Sequence, residues 1–117
     1  MTLMTKSEER RARRAALEQR QVDRFWSRVN KTETCWLWTG VTVSGYGLAY
    51  WRGRNHVAHR IAWYLDGRTI EDGLELDHVC VNRACVRPDH LMAVTRKENH
   101  RLARLRTAAD KAFGESR

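Results

Sequence analysis

The sequence lacks any apolar run of about 18 residues, the length that a membrane-spanning helix needs. Its first residues, MTLMTKSEERRARR, also lack the apolar middle of a signal peptide. We therefore expect a cytoplasmic protein with no membrane partner. Cysteine is scarce as well: three are present, and an odd number cannot pair completely as disulfides. In a reducing compartment these cysteines favour metal binding.

The length of 117 residues limits the chain to one domain with a modest core, which is marginal without extra support. No internal repeat and no low-complexity linker divides it. The expected organisation is a basic helical arm over residues 1–23 and a compact domain over residues 24–117.

Positive charge is concentrated at the two ends. Residues 1–30 carry 8 Lys or Arg against 4 Asp or Glu, and residues 94–117 carry 7 against 3. Residues 31–93 hold 7 of each sign and are neutral. Basic ends around a neutral centre suggest a polyanion, most often nucleic acid, although solvated helix faces give the same pattern.

In the N-terminal half, residues 7–29 predict a helix in two parts, of which only the second has a strong apolar face. The first part is either a free basic arm or a contact to a second copy in a homodimer. CWLWTG predicts a short strand, and GYGLAYWRGRNHVAH predicts a β-hairpin that turns near residues 52–55. The apolar residues that mark the docking faces of this helix and of the next one are Val22, Phe25, Trp26 and Val29, then Ala58, Ile61, Ala62 and Leu65.

In the C-terminal half, residues 74–76 predict a brief strand and residues 91–94 a second one. Thr95, with Glu98 three residues later, predicts a capping box that opens a helix to about residue 112. The buried face of this helix is predicted to carry Leu102, Leu105, Ala109 and Ala112.

The stretch LDHVCVNRACVRPDHL, residues 76–91, predicts a zinc site. Structural zinc takes four tetrahedral sulfur or imidazole ligands, and Cys80, Cys85 and His90 supply three. Cys35 is the favoured fourth ligand because thiolate binds zinc more strongly than imidazole. His56 and His100 are the competing donors.

A closed four-ligand zinc site does not need Asp77 and His78, so these two residues predict a catalytic site. A histidine near neutral pKa is the usual proton acceptor at physiological pH. Aspartate is a hard oxygen ligand suited to Mg²⁺. Asn99 lies on the predicted buried face of the last helix and should point toward this pair, whereas His100 is rotated by about 100° toward solvent.

Taken together, the order Asp-His, Cys-x4-Cys-x4-His and then Asn resembles the HNH or ββα-metal endonucleases. The resemblance is closest to the His-Cys box homing endonucleases and to small phage-type HNH proteins. It runs from about Arg24 to Arg101 and includes RFWSRV, CWLWTG, GYG, AHR, LDHVC, CVRPDHL and VTRKEN. The implied fold is α+β: a zinc-stapled ββα-metal unit with a preceding β-hairpin and an N-terminal basic helix.

The resemblance also implies roles for individual residues. His78 matches the general base, and Asp77 and Asn99 match the ligands of a catalytic Mg²⁺ or Mn²⁺. Cys35, Cys80, Cys85 and His90 match the zinc ligands. One departure concerns the middle asparagine of the HNH pattern, which orients the base, because His90 stands at its position. A backbone carbonyl near the zinc loop is the expected replacement.

The implied activity is DNA cleavage to 5′-phosphate and 3′-hydroxyl ends, in a bacterial or phage-infected host cell. Arg60 is the first choice for holding the scissile phosphate, and Arg52 or Arg54 the second. The predicted DNA contacts are Arg52, Arg54, Arg83, Arg87, Arg96, Lys97 and Arg101. Two other classes remain open: a zinc-dependent DNA-binding module without chemistry, and a zinc domain that binds protein.

Overall fold

The computed structural model describes residues 3–113, with side chains as far as residue 108. Three helices and three small antiparallel sheets make up this part of the chain, which confirms the predicted α+β class. In chain order the elements are α1 (Lys6–Ser27), β1 (Val29–Lys31), β2 (Trp36–Trp38), β3 (Thr42–Val43), β4 (Tyr46–Trp51), β5 (Arg54–Val57), α2 (Ala58–Leu65), β6 (Leu74–His78), β7 (Leu91–Thr95) and α3 (Arg96–Phe113).

The N-terminal helix α1 is one continuous helix with an exposed first part and a second part that packs on the domain, as predicted. Thr5 caps it by accepting a hydrogen bond from the backbone N–H of Glu8 (3.1 Å). All residues from 6 to 21 are exposed, whereas Phe25 is buried against the domain. The helix is therefore anchored at its C-terminal end, as its apolar face predicts. The domain boundary at residue 23 falls inside it and stays a prediction.

The hairpin β4–β5 and helix α2 follow the predicted pattern. The turn lies at Arg52 and Gly53, whose φ angles of 49° and 84° are both in the left-handed region. Two consecutive residues of this kind give the turn that matches the twist of a β-hairpin. Helix α2 starts directly after β5 and buries Ala58, Ile61 and Ala62.

The core lies where α1, the first two sheets and α2 meet. Trp38 and Trp63 are buried, and the other three tryptophans are partly buried against the core, so all five act in packing. The core cluster consists of Phe25, Trp38, Ala49, Ala58, Ile61, Ala62 and Val86.

Strands β6 and β7 and helix α3 form the ββα unit. The strands are antiparallel, with Asp77 opposite Met92 and His78 at the end of the ladder. Thr95 Oγ1 accepts a hydrogen bond from the backbone N–H of Glu98 (3.1 Å) and so caps α3. The Glu98 carboxylate binds Arg101 instead of completing the predicted capping box.

The packing face of α3 differs from the predicted one. Leu102 is half-buried as expected, but Leu105 is 53% exposed, so its predicted burial is wrong. Ala109 and Ala112 lie outside the described side chains. The rotation of α3 is set by polar contacts rather than by an apolar stripe, because the face turned toward β6 carries Asn99, whose amide binds that strand.

Candidate functional site

Cys35, Cys80, Cys85 and His90 meet in one cluster, as predicted. Their ligand atoms all lie within 4.8 Å of one another. His90 Nδ1 is 3.6 Å from Cys35 Sγ and 3.5 Å from Cys85 Sγ. A zinc ion with ordinary Zn–S and Zn–N bonds would place sulfur and nitrogen about 3.6 Å apart at the corners of a tetrahedron. The four residues therefore fit structural zinc, and neither His56 nor His100 belongs to the cluster.

Backbone pairing brings Cys35 to the loop that carries the other three ligands. The Trp38 N–H donates to the Ala84 carbonyl (2.9 Å), and the Val86 N–H donates to the Trp36 carbonyl (2.7 Å). The segment around β2 therefore runs beside residues 84–86 like a short antiparallel pair. This pairing clamps together two segments that are far apart in the sequence.

Arg87, a predicted DNA contact, supports the same clamp. Its guanidinium donates to the carbonyls of Glu33 (3.1 Å) and Thr34 (2.6 Å), next to Cys35. The side chain is half-buried, and its guanidinium carbon lies over the Trp36 ring, 5.5 Å from the centroid. A contact of Arg87 with DNA stays a prediction, and the structure gives this residue a role in holding the zinc segment.

Two thiols of the cluster, those of Cys35 and Cys85, have raised pKa values. Burial, reinforced by the neighbouring Cys85, raises the pKa of Cys35 to about 12. Burial also raises the pKa of Cys85. A thiolate is the form that binds zinc, so a metal ion would supply the positive charge that makes these sulfurs ligands.

His78 ends strand β6 and is held by the zinc loop. Its Nε2 lies 2.9 Å from the carbonyl oxygen of Cys85. Since a carbonyl can only accept, Nε2 carries the hydrogen and Nδ1 keeps its lone pair. Burial lowers the pKa of His78, which favours this neutral form. A backbone carbonyl in the zinc loop thus takes the place of the missing middle asparagine, as expected.

His59 packs against His78, a contact that the sequence does not reveal. The two ring centroids are 4.4 Å apart at an angle of 69°, and Tyr46 lies 5.8 Å from the His78 ring. His59 is buried, and its Nδ1 has no hydrogen-bond partner in the described part of the chain. Burial, together with the charges of His78 and Arg60, lowers its pKa to about 3. Both rings are therefore neutral at physiological pH.

Asp77 and Asn99, the predicted magnesium ligands, line the same cavity as His78. This cavity has a volume of about 330 Å³. The carboxylate of Asp77 accepts two hydrogen bonds from Arg106 (3.0 and 2.7 Å). The amide nitrogen of Asn99 donates to Glu75 Oε1 (2.7 Å), which leaves the amide carbonyl oxygen for a cation. Carboxylate and amide oxygens are donors that Mg²⁺ accepts, so the chemistry of the pair fits.

Arg106 and Glu75 were not predicted as site residues. The signal that could have identified Arg106 is its position seven residues after Asn99, which puts both on one face of α3. His100 is exposed, as predicted, although it lies at the rim of the same cavity.

Three arginines lie around the site. Arg83 and Arg106 line the cavity of His78, and Arg60 lines an adjoining cavity of about 290 Å³ that shares Asn99 with it. Arg83 lies over the Tyr46 ring, 5.2 Å from its centroid. A contact of Arg60 with the scissile phosphate stays a prediction.

The remaining predicted DNA contacts lie on the surface. Arg52 and Arg54, at the hairpin turn, line a groove of about 800 Å³ with Arg60. Arg52 also forms an exposed ion pair with Glu18 of α1 (3.5 Å). At the start of α3, Arg96 and Lys97 are exposed, as is Arg101, which binds Glu98. In the described residues no helix combines the length and apolarity that crossing a membrane requires.

Comparison with known proteins finds similarity for one segment of the chain. Residues 56–101 match the family model described as HNH endonuclease. Over 46 residues the chain is 33% identical to the "Uncharacterized gene 5.3 protein" of Enterobacteria phage T3. This alignment covers 39% of the chain and 46% of the relative, less than half of either. No solved structure matches the chain. The predicted resemblance to HNH proteins of phage type is confirmed over the matched segment.

Proposed function

We propose, from the HNH endonuclease match of residues 56–101 and from the cavity that this segment builds, that the protein is a metal-dependent DNA endonuclease. The observation that carries the proposal is the orientation of His78. Its Nε2 is held by the Cys85 carbonyl, which leaves the lone pair of Nδ1 as a proton acceptor, and His78 lines one cavity with Asp77 and Asn99.

The residues of this chain supply most of the chemistry. His78 Nδ1 accepts a proton from a water molecule, which attacks the phosphorus atom of a backbone phosphodiester. The bond from phosphorus to the 3′ oxygen breaks, so the products carry 5′-phosphate and 3′-hydroxyl ends. A Mg²⁺ or Mn²⁺ ion held by Asp77 and Asn99 would neutralise the negative charge that develops on the phosphate and on the leaving oxygen.

The positive side chains around the cavity support a phosphate substrate. Arg83 and Arg106 line it directly, and Arg60 lines the adjacent cavity that shares Asn99. The net charge of +8 favours a polyanion in general. DNA is the substrate that the family match supports, and Arg83 joins Arg60 as a candidate for holding the scissile phosphate.

The proposal is tested with zinc-loaded protein and supercoiled plasmid DNA. We expect open-circular or linear DNA to form with Mg²⁺ and no cleavage when Mg²⁺ is omitted. Omission is preferable to a chelator, because a chelator would also remove zinc. DNA ligase should reseal the nicks, since it requires 5′-phosphate and 3′-hydroxyl ends. Intact plasmid with either Mg²⁺ or Mn²⁺ would contradict the proposal.

One observation favours a second function, a zinc-dependent DNA-binding module without chemistry. Asp77 is paired with Arg106 on both carboxylate oxygens, as in a purely structural ion pair. If this function is correct, the protein should shift DNA in a gel and leave the plasmid intact at every Mg²⁺ concentration. Replacing His78 with alanine should then change neither result.

The exposed part of α1 should contribute to DNA binding. Deleting residues 1–20 removes six arginine or lysine residues and leaves Phe25, the buried anchor, in place. Because phosphate contacts release counterions, we expect weaker DNA binding and a smaller dependence of affinity on salt, with an unchanged zinc content. The measurement is a titration of labelled duplex DNA at several salt concentrations.

The same deletion also tests whether α1 contacts a second copy. Sedimentation of both proteins without DNA gives the oligomeric state. If the deletion changes the oligomeric state but leaves the affinity and its salt dependence intact, the arm is a homodimer contact and not a DNA contact.

A further inference from the structure

Arg106 makes the most complete polar contact of the site. Its two terminal nitrogens donate to the two oxygens of Asp77 (3.0 and 2.7 Å), a bidentate pair. The Asp77 side chain is 8% exposed and the Arg106 side chain 30% exposed. The carboxylate is thus buried with a positive charge already bound to it, while the arginine keeps a side open to the cavity.

Two polar contacts join α3 to β6, and the ion pair between Arg106 and Asp77 is one of them. Asn99 and Arg106 are two helical turns apart and lie on one face of α3. Glu75 and Asp77 are two residues apart and lie on one face of β6. The hydrogen bond from Asn99 to Glu75 uses an uncharged donor, whereas the ion pair from Arg106 to Asp77 uses a cation. Only the ion pair therefore competes with a metal ion.

A divalent cation and a guanidinium cannot share this buried carboxylate at low cost, because their positive charges repel each other and the guanidinium already occupies one lone pair on each oxygen. We propose that Arg106 occupies the metal position on Asp77 in the metal-free protein and is displaced when the cation binds. The proposal rests on the proposed function, since it takes Asp77 as a metal ligand. It adds an internal competitor that lowers the affinity for the metal.

The cavity offers the displaced arginine a place to go. Arg106 itself lines the volume of about 330 Å³ that contains His78, and its side chain is partly exposed there. A bound phosphate would give the released guanidinium a new anionic partner, next to Arg83. Metal and DNA should therefore bind more tightly together than either does alone, because each one favours the released position of Arg106.

The test measures Mn²⁺ binding to zinc-loaded protein, with free Mn²⁺ followed by electron paramagnetic resonance and no DNA present. Arg106→Leu removes the competitor without supplying a ligand. If the ion pair is formed more than nine-tenths of the time, its removal should tighten Mn²⁺ binding by about tenfold or more. Added Mn²⁺ should also raise the melting temperature of this variant more than that of the wild type. Arg104→Leu, which removes an exposed arginine of the same helix, is the matched control and should bind like the wild type.

Two further variants make every outcome informative. Arg106→Lys keeps a positive charge but loses the bidentate geometry, so it should tighten binding by a smaller factor; it decides the question if Arg106→Leu fails to fold. Unchanged or weaker Mn²⁺ binding in the folded Arg106 variants overturns the proposal. Asp77→Asn tests whether Asp77 is a metal ligand, separately from whether Arg106 competes with the metal. If Asp77→Asn abolishes Mn²⁺ binding while the Arg106 variants bind like the wild type, Asp77 is a metal ligand but Arg106 does not compete for it. If Asp77→Asn binds Mn²⁺ like the wild type, Asp77 is not a metal ligand, and both its proposed role in catalysis and the competition by Arg106 are wrong.

Discussion

Replacing His78 with alanine is expected to slow DNA cleavage by about 10²- to 10⁴-fold, the usual contribution of a general base. The substitution removes the proton acceptor and leaves Asp77 and Asn99 in the cavity. DNA affinity and zinc content should therefore stay at the wild-type level. The measurement is the single-turnover cleavage rate at saturating protein, which separates chemistry from binding. His56→Ala is the control, because His56 lines the outer groove and not the cavity of His78.

Loss of a metal ligand should affect DNA cleavage differently from loss of the general base. Asn99→Ala removes one of the two proposed protein ligands, so part of its activity should return at higher Mg²⁺ or with Mn²⁺, which binds such sites more tightly. His78→Ala should not recover, since more metal does not replace a proton acceptor. The decisive data are cleavage rates against metal concentration for His78→Ala, Asn99→Ala and His100→Ala.

The exposed position of His100 predicts a small effect for its substitution. An inactive His100→Ala together with a normal Asn99→Ala would show that His100 is the ligand. In that case the metal would bind at the rim of the cavity that both residues line. Equal rates for all three variants and the wild type would contradict the assignment of catalysis to this cavity.

Loss of zinc is expected to unfold the domain. Structural zinc contributes about 10–16 kcal/mol at neutral pH in small zinc domains, as much as or more than the usual 5–15 kcal/mol of net stability. Purified protein should contain about one zinc per chain, since the four-ligand cluster can hold one ion. Cys85→Ser replaces a fully buried ligand and should give a protein without zinc and without cooperative thermal unfolding. Circular dichroism and metal analysis measure the two effects.

The zinc prediction has a matched control and a clear contrary result. Ala84→Ser puts the same hydroxyl one residue earlier, at a half-buried position that holds no ligand, and should keep both zinc and fold. A well-folded, metal-free protein with full activity would show that the cluster is four packed side chains and not a metal site. Because the Cys85 carbonyl also holds His78, any folded zinc-free form should cleave DNA slowly.

Short-range patterns in the sequence were sufficient for most of the elements and for the zinc ligands. The short strand in CWLWTG, the apolar spacing in α2 and the Thr95 cap each depend on residues a few positions apart, and each appears in the structure. The need of zinc for four ligands also predicted one long-range contact. Three ligands in one loop require a fourth, so Cys35 could be assigned to the cluster without knowledge of the fold.

The tertiary structure decided which charged and polar groups meet. Arg106 reaches Asp77, and Asn99 reaches Glu75, because the rotation of α3 on β6 follows these polar contacts and leaves Leu105 exposed. The residue spacing in α3 is compatible with this rotation but does not predict it. Either the apolar stripe or the polar face of the helix could pack against β6. The position of the arginines has the same origin. Long, flexible side chains bind wherever the packed backbone leaves a free carbonyl or carboxylate, and such partners exist only after folding.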